Sequence, residues 1–206
     1  ALQAMIQFAR VLGKSSQEYE ELARLTARGF DRFWNEELGY CYDVLDTPNG
    51  GRDDSLRPNQ IFPVSLPPME GKYSYSPLLS SERQRRVVDV CGEALLTSYG
   101  LRSLAPDDPE YKGIYGGDRL QRDGSYHQGT VWGWLIGPFA LAHLRVYGDR
   151  AAARELLAPM AHHLLDAGVG SLSEVFDGDA PMRPRGCIAR AWTVAEVLRA
   201  RSVIGN

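Results

Sequence analysis

Apolar residues recur at helical spacing along most of this chain, and one stretch departs from that pattern. Residues 2–12 and 149–165 each carry their apolar side chains on a single stripe, as helices that cover one face of a core do. The stretch 130–148, TVWGWLIGPFALAHLRVYG, is instead apolar on nearly every side. Such a helix must be surrounded by other elements, so the sequence predicts an all-α fold built around this segment.

Helix signals at the two ends of the chain set the first and last elements. Gly13 closes the first helix, and Ser15 with Glu18 forms the pattern of a capping box for the second. The second helix is expected to end near Gly39. Residues 188–198 again show helical spacing and form the last helix.

Similar signals divide the middle of the chain. Pro58 fits the first turn of a short third helix, with Asp54 or Ser55 placed to cap it. Ser81 begins a fourth helix, and Asp149 begins the helix that follows the apolar one. The chain therefore contains about seven helices, with short strand pieces in its long loops.

Long and short connections alternate between these helices. The turns at Gly13 and Gly148 are short, whereas the connections 37–57, 98–127 and 168–187 are long and rich in Asp, Arg, Tyr and Gly. In an array of antiparallel helical hairpins, alternate connections emerge on the same face. We expect a single domain, residues 1–206, that forms part of an (α/α)6 toroid with its loops gathered into a pocket at one end.

Charge and composition exclude several classes of partner. The net charge of −3 leaves no basic face for nucleic acid or an anionic membrane, and no apolar run reaches the roughly 20 residues of a membrane span. The three cysteines, Cys41, Cys91 and Cys187, lack metal or redox spacing, which favours reduced thiols and a cytoplasmic location. The chain begins without Met inside an amphipathic pattern, which favours a segment of a longer protein.

The sequence GSLSEVFDGDAP contains one glutamate, Glu174, between apolar neighbours. The alternation of Leu172, Glu174 and Phe176 is typical of a strand and places the carboxylate beside apolar side chains. Glu174 is either a solvated or capping acid, or a general acid or base whose surroundings tune its chemistry.

Aromatic residues cluster in YHQGTVWGW. Tyr126 and Trp132 have the amphipathic rings that suit a sugar ring, His127 offers a hydrogen bond to a hydroxyl, and Gly129 permits close approach of a ligand to the backbone. The alternative is that these residues simply pack in the core, and for Trp134 we favour the core.

A polar cluster, DDSLRPNQ, lies at the entrance of the third helix. Asp54, Arg57, Asn59 and Gln60 would supply hydrogen bonds to several hydroxyl groups at the rim of a pocket. The alternative is that Asp54 caps the helix while Arg57 stays exposed.

Four other residues are weaker candidates for a functional role. Arg185 either holds a nearby carboxylate or remains in solvent, and Cys41 has no histidine near it in sequence that would activate its thiol. His162 and His163 are adjacent, so they point about 100° apart on a helix, which makes them a poor metal pair and favours a surface or edge position. The sequence contains no nucleotide-binding or zinc-protease motif, and we expect no metal or cofactor.

Three stretches together resemble a known family. DSLRPNQIFPVSLP, YHQGTVWGWLIGPFALAHLR and GSLSEVFDGDAPMRPRGCIARAWTVAEVLRA are similar, in order and spacing, to the C-terminal amylo-α-1,6-glucosidase domain of prokaryotic glycogen debranching enzymes. The resemblance extends along nearly the whole chain. It implies a glucoamylase-type (α/α)6 toroid that hydrolyses α-1,6 branch points of glycogen or another branched α-glucan, with inversion and without a metal or cofactor.

The resemblance also implies roles for individual residues. Glu174 matches the general base that activates the attacking water. An inverting glycosidase needs a second carboxyl group roughly 6.5–9.5 Å away, and the resemblance implies an aspartate upstream of Ala1. The remaining matches form the glucose pocket and its polar entrance: Tyr126, His127, Gly129, Trp132, Arg57, Asn59 and Gln60.

Two consequences follow for the chain on its own. We expect this segment alone to be inactive, because its general acid lies elsewhere, and to expose an apolar edge through which it could self-associate. The alternatives are another hydrolase on the same toroid, such as a trehalase-like or glucosylglycerate-type enzyme, a non-catalytic glycan-binding module, or an α-hairpin solenoid, although no fixed repeat supports the last.

Overall fold

The computed structural model describes residues 1–66 and 77–205, and most of them belong to helices and the loops that join them. The motif DSLRPNQIFPVSLP lies within the described chain except for its last residue. The helices are α1 (Leu2–Val11), α2 (Gln17–Phe30), α3 (Phe62–Ser65), α4 (Ser81–Ala94), α5 (Arg119–Ser125), α6 (Ile136–Tyr147), α7 (Arg150–Glu155), α8 (Ala158–His163) and α9 (Ala191–Ile204).

Short strands join the long connections to one another. β1 and β2 form a hairpin beside the end of α2, and the others form one antiparallel sheet in the order β3-β4-β5-β6-β7. Trp132 pairs with Leu101 on one side and with Val175 on the other, so the sheet ties three distant parts of the chain together. The strands are β1 (Trp34–Asn35), β2 (Tyr40–Cys41), β3 (Leu96–Thr97), β4 (Gly100–Arg102), β5 (Val131–Trp132), β6 (Val175–Phe176) and β7 (Pro184–Arg185).

Helix α6 is buried on nearly all sides over its first two turns, as the sequence predicts. It contacts α3, α4, α7 and α9, and Gly137 allows α9 to come close, because a Cβ there would lie 2.6 Å from the carbonyl oxygen of Glu196. The helix begins later than predicted, at Ile136, since Val131 and Trp132 pair in the sheet and a 3-10 turn follows them. Gly148, with φ of 69°, ends it.

Two predicted features at the start of the chain are wrong. The second helix ends at Phe30 and not near Gly39, because a 3-10 turn and the hairpin of β1 and β2 follow it. The predicted capping box does not form: Ser16 precedes the helix, and its hydroxyl donates to the carboxylate of Glu20 at 2.6 Å instead of accepting from a backbone N–H.

The third helix begins as predicted but is not capped as predicted. Pro58 opens a 3-10 turn, Pro58–Ile61, that continues into α3. The residue before it is Arg57, in extended conformation, and neither Asp54 nor Ser55 caps the helix. Pro58 supplies the right φ and needs no N–H partner, so the turn starts without a side-chain cap.

The remaining helices also differ in detail. The capping box of Asp118 and Gln121 opens α5, which the sequence analysis missed within the long 98–127 connection. The helix predicted from Asp149 is capped by that residue but is split into α7 and α8. Pro159 lies in the first turn of α8, where its missing N–H and ring favour a new helix start over continuation.

Apolar side chains remain exposed at both ends of the chain. In the α1–α2 hairpin these are Phe8, Val11, Leu12, Leu22 and Leu25, and α2 contains no buried residue. Ile188, Leu198 and Val203 are exposed near or on α9. Within the described residues, no helix is both long and apolar enough to span a membrane.

Candidate active site

An open pocket of about 550 Å³ lies between the connections 37–57 and 98–127 and the residues that follow each of them. Its walls come from residues 43–62, from Ser103, from the segment around Trp132 and from the start of α9. The predicted connections 37–57 and 98–127 therefore contribute to one pocket, whereas the connection 168–187 contributes no lining residue. The lining residues are Asp43, Asp53, Arg57, Pro58, Asn59, Phe62, Ser103, His127, Gln128, Trp132, Trp134, Leu135 and Trp192.

Arg57 joins the two halves of the polar wall. Its guanidinium donates to the carbonyl oxygens of Ser103 at 3.1 Å and His127 at 2.5 Å, and to Oε1 of Gln128 at 2.6 Å. Nε lies 3.7 Å from a carboxylate oxygen of Asp43. These contacts fix the loop that carries the aromatic residues, so Arg57 acts first as a support for the pocket.

The other polar candidates fall into different places. Asn59 is exposed in the lining and donates to Asp43 at 2.7 Å. Gln60 is buried behind the wall, where it accepts from the N–H of Cys41 at 3.2 Å. Asp54 is exposed and outside the lining, whereas its neighbour Asp53 lines the pocket; a hydrogen bond from Ser55 lowers the pKa of Asp53.

Trp132 and His127 form an aromatic wall of two stacked rings, in which His127 is exposed and Trp132 is largely buried. Their ring centroids are 5.3 Å apart and the planes are within 5° of parallel. Trp132 Nε1 donates to the carbonyl oxygen of Tyr126 at 3.0 Å, and the ring of Tyr126 packs 4.6 Å from Trp132. Partial burial, and then the charge of Arg57, lowers the pKa of His127, which favours its neutral form at pH 7.

Gly129 is required by packing inside the protein. Its φ is 131°, and a Cβ there would lie 2.7 Å from the ring of Tyr111 and from the carbonyl oxygen of Lys112. Its N–H donates to the hydroxyl of Ser103 at 2.9 Å. The space next to this glycine in the structure is therefore filled by Tyr111 and Lys112 of the protein itself.

Glu174 is buried beside the pocket, with 8% of its surface exposed. Its Oε1 accepts from the hydroxyl of Tyr126 at 2.9 Å and lies 3.3 Å from Nη1 of Arg190, and its Oε2 accepts from the N–H of Cys187 at 3.0 Å. These donors compensate the cost of burying a charge. Burial, and then the bond to Glu174, raises the pKa of Tyr126 to about 12, so the phenol remains a donor at neutral pH.

The backbone places Glu174 next to the aromatic wall. The carbonyl oxygen of Glu174 accepts from the N–H of Gly133 at 3.1 Å, and its own N–H donates to Cys187 at 2.9 Å. The next residue, Val175, pairs with Trp132. Glu174 and Tyr126 are not among the lining residues, and they connect to the pocket through Trp132 and through the start of α9.

A buried ion pair orders the segment that contacts Glu174. Asp177 accepts from Nε of Arg185 at 3.2 Å and from its Nη2 at 3.0 Å, and also from the N–H of Tyr115 at 2.9 Å. Of the two interpretations of Arg185, the structure shows the one in which it holds a carboxylate. Because Arg185 precedes Gly186 and Cys187, this pair positions the N–H that reaches Glu174.

The prediction of a surface or edge position is wrong for His163, which is 1% exposed. Its Nε2 accepts from the N–H of Ser173 at 3.2 Å and lies 3.0 Å from the Ser173 hydroxyl, so it anchors the residue before Glu174. The position of His163 three residues after buried Met160 was the signal in the sequence. His162 is exposed, as expected.

Sequence reasoning also missed several residues of the site, among them the arginine that pairs with Glu174 and two tryptophans of the pocket. Arg190, which pairs with Glu174, immediately precedes α9, and Trp192 at the start of that helix lines the pocket. Trp134 packs against the core, as predicted, and in addition lines the pocket. The cluster of Arg190 and Trp192 soon after the Glu174 motif was the available signal.

Other possible sites carry less chemistry. The described residues contain no group of three or more His, Cys, Asp or Glu arranged to hold a metal ion. Cys41, Cys91 and Cys187 are free, and burial raises the pKa of Cys41 to about 11 and that of Cys91 to about 12. A second cavity of about 460 Å³ between the α1–α2 hairpin and α3 has no carboxylate in its described lining.

Comparisons with known proteins agree with this architecture. The chain is 27% identical to the glycogen debranching enzyme of Saccharomyces cerevisiae over 110 residues, which is 50% of this chain and 7% of that enzyme. The GH63 mannosylglycerate hydrolase of Thermus thermophilus superposes with a TM-score of 0.65 at 19% identity, over 97% of this chain and 42% of that one. Neutral trehalase from Saccharomyces cerevisiae superposes with a TM-score of 0.57 at 18% identity, over 94% and 32%.

The chain thus spans less than half of each of these two solved proteins, whose fold, a helical toroid of glycoside hydrolases, it shares. A sequence model of the amylo-alpha-1,6-glucosidase family matches residues 1–199. Because that match covers nearly the entire sequence, the chain belongs to the amylo-alpha-1,6-glucosidase family of glycoside hydrolases.

Proposed function

We propose that this chain supplies the general base and most of the glucose pocket of an enzyme that hydrolyses α-1,6 branch points in glycogen or a similar branched α-glucan. The observation that carries the proposal is the arrangement of Glu174. Its carboxylate is buried next to the aromatic wall, and its two oxygens accept hydrogen bonds from Tyr126 and from the N–H of Cys187.

The contacts of Glu174 suit a base better than an acid. Arg190 and the N–H of Cys187 are donors to a carboxylate, and neither can accept a hydrogen bond from a protonated carboxyl group. In the described chain each carboxylate oxygen accepts one hydrogen bond, and Arg190 also pairs with Oε1, so Oε2 keeps a lone pair for a water molecule.

The reaction then proceeds with inversion. The water oxygen attacks C1 of the branch glucose while Glu174 takes one of its protons, and the bond from C1 to the O6 of the main chain breaks. A second carboxyl group protonates that leaving oxygen. The products are β-glucose and a debranched chain, and the reaction requires no metal or cofactor.

The pocket residues divide the work of binding the glucose. The exposed ring of His127, stacked on Trp132, packs against the sugar ring, while Asn59 and Arg57 face its hydroxyl groups. Tyr126 keeps its proton and orients Glu174. Gln60 and Gly129 support the walls from behind, and Asp54 would bind substrate only beyond the rim of the pocket.

We further propose that the general acid lies on a segment outside this sequence, in a cytoplasmic protein. The exposed apolar residues of the α1–α2 hairpin and of α9 suit burial by such a segment, or self-association when it is absent. The fold similarity to a mannosylglycerate hydrolase and to a trehalase supports one alternative, a toroid hydrolase that acts on a smaller glucoside.

Product analysis tests this proposal. A protein that contains this chain and the complete toroid is expected to release glucose from a branched limit dextrin, with the β-anomer appearing first in NMR spectra, while the present chain alone releases none. Preferential hydrolysis of trehalose or a glycerate glucoside would favour the alternative. Initial release of the α-anomer would contradict inversion, and clear glucose release by the chain alone above a Glu174→Gln control would contradict the placement of the general acid outside this sequence.

A further inference from the structure

A second aromatic surface lies in the same pocket. The rings of Trp134 and Trp192 are stacked, with centroids 4.2 Å apart and planes 17° from parallel, and Phe62 stacks on Trp134 at 5.7 Å. All three residues line the pocket. They are separate in sequence, on α3, on the turn before α6 and on the first turn of α9, so the stack is built by the fold.

Trp192 is too exposed for a residue that only fills the core. It has 46% of its surface accessible, although it is one of the largest apolar side chains in the protein. Trp134 supports it from one side, so its indole is held in place without being covered. A rigid, exposed indole in a concave, partly polar cavity is typical of a ligand-binding surface.

The two aromatic surfaces share one cavity and one set of polar groups. The first is the wall of His127 and Trp132, and the second is the stack that ends in Trp192. Carboxylates and amides of the lining offer acceptors and donors to sugar hydroxyls. Arg190, which contacts Glu174, lies two residues before Trp192, so the second surface is connected to the carboxylate.

We propose that Trp192, supported by Trp134, binds a second glucosyl ring next to the one at Trp132. The ligand of this pocket is then an α-glucan of at least two sugar units, and Trp192 contributes to selection against single sugars and small glucosides. This inference rests on the proposed function, since it extends the substrate of the same site.

NMR of the four indole N–H groups of the present chain tests the inference. Glucose is expected to shift the signal of Trp132, while maltotriose shifts those of Trp132 and Trp192. Trp34 is the internal reference, because it lies outside the pocket lining and packs near Arg83. An unshifted Trp192 signal with maltotriose at saturation of Trp132, or no shift with any of these sugars, would overturn the inference.

A pair of variants provides the quantitative test. Trp192→Ala should weaken maltotriose binding roughly tenfold and leave glucose binding unchanged, which is the effect of losing one stacking contact. Phe8→Ala, which removes an exposed aromatic ring on α1, is the control and should change neither affinity. Equal affinities of wild-type protein and Trp192→Ala for maltotriose would refute the assignment.

Binding and hydrolysis can fail separately in these experiments. The titrations need no turnover, and they can be repeated with Glu174→Gln. If Trp192→Ala does not weaken maltotriose binding while hydrolysis still depends on Glu174, the second sugar position is rejected and the proposed function is retained. A Trp192 effect without any role for Glu174 in hydrolysis would instead reject the proposed mechanism and retain the binding surface.

Discussion

Helix α6 and the α1–α2 hairpin are both rich in apolar residues but have opposite surroundings. Helix α6 is enclosed by α3, α4, α7 and α9, and its first two turns are buried. In the hairpin, Ile6 and Ala9 are buried, whereas Phe8 and Leu12 are exposed and α2 buries no residue. The comparison shows that a sequence pattern predicts which side of a helix should be covered, while the covering partner must come from elsewhere.

The largest expected effect is the difference in stability loss between a Phe→Ala substitution in α6 and one in the hairpin. Phe139→Ala in α6 should lower the free energy of unfolding by about 3–5 kcal/mol, because the ring is 2% exposed and its removal leaves a cavity. Phe8→Ala in α1 should change it by less than about 0.5 kcal/mol, since that ring is already in solvent. Urea denaturation measures both. Similar losses for the two variants would break the comparison.

A buried and an exposed ion pair should likewise differ in how much they contribute to stability. Asp177→Asn is expected to cost roughly 1–3 kcal/mol of unfolding free energy, because it removes a buried carboxylate that two donor groups contact. Asp31→Asn, at the end of α2, should cost little, since Asp31 is largely exposed in its pair with Arg83. Thermal unfolding of both variants would contradict the account if Asp31→Asn were the more damaging.

Glycines with the same backbone conformation offer a sharper contrast. Gly13 and Gly186 both have φ of 63°, so alanine should cost about 1 kcal/mol of stability at either position. A Cβ at Gly13 meets nothing within 4 Å, whereas one at Gly186 would lie 2.7 Å from Oε2 of Glu174. In the complete enzyme, Gly186→Ala should therefore reduce kcat strongly and Gly13→Ala should not. Equal kcat values would mean that Glu174 is not held by this segment.

The smallest expected effect is a pH dependence confined to the pocket region. The pKa of His127 is lowered in the folded protein, so the unfolded chain binds the proton more readily and stability falls as the pH drops through about 6.5. Arg57→Gln should move the pKa of His127 upwards, because it removes one of the two causes. NMR titration of the imidazole measures this, and a pKa above the ordinary value in the wild-type protein would contradict it.

Much of the fold was predictable because helical spacing is a local property. The apolar stretch 130–148 predicts the central helix. Gly148 marks its end, and Asp149 marks the start of the next helix. The start of α6 was not predictable, since Trp132 lies in a strand only because β4 and β6 flank it. The local sequence pattern does not predict which distant segments pair as strands.

The candidate site was predictable in its motifs but not in its contacts. Glu174, Trp132 and Arg57 were identified from sequence, and the structure brings them into one region. That Arg190 and the N–H of Cys187 hold Glu174 depends on the position of α9 and β7 in the fold. His163, which was expected at the surface or an edge, is buried for the same reason.

Turnover of a Glu174→Gln variant tests the central claim most directly. In the protein that contains the complete toroid, this change keeps the size of the side chain but replaces one accepting oxygen with a donating amide group and removes the base, so kcat on a branched limit dextrin should fall roughly 10²–10⁴-fold. Glu18→Gln, on the exposed surface of α2, is the control and should keep full activity. A folded Glu174→Gln enzyme with near-normal kcat would contradict the assignment of Glu174 as the base.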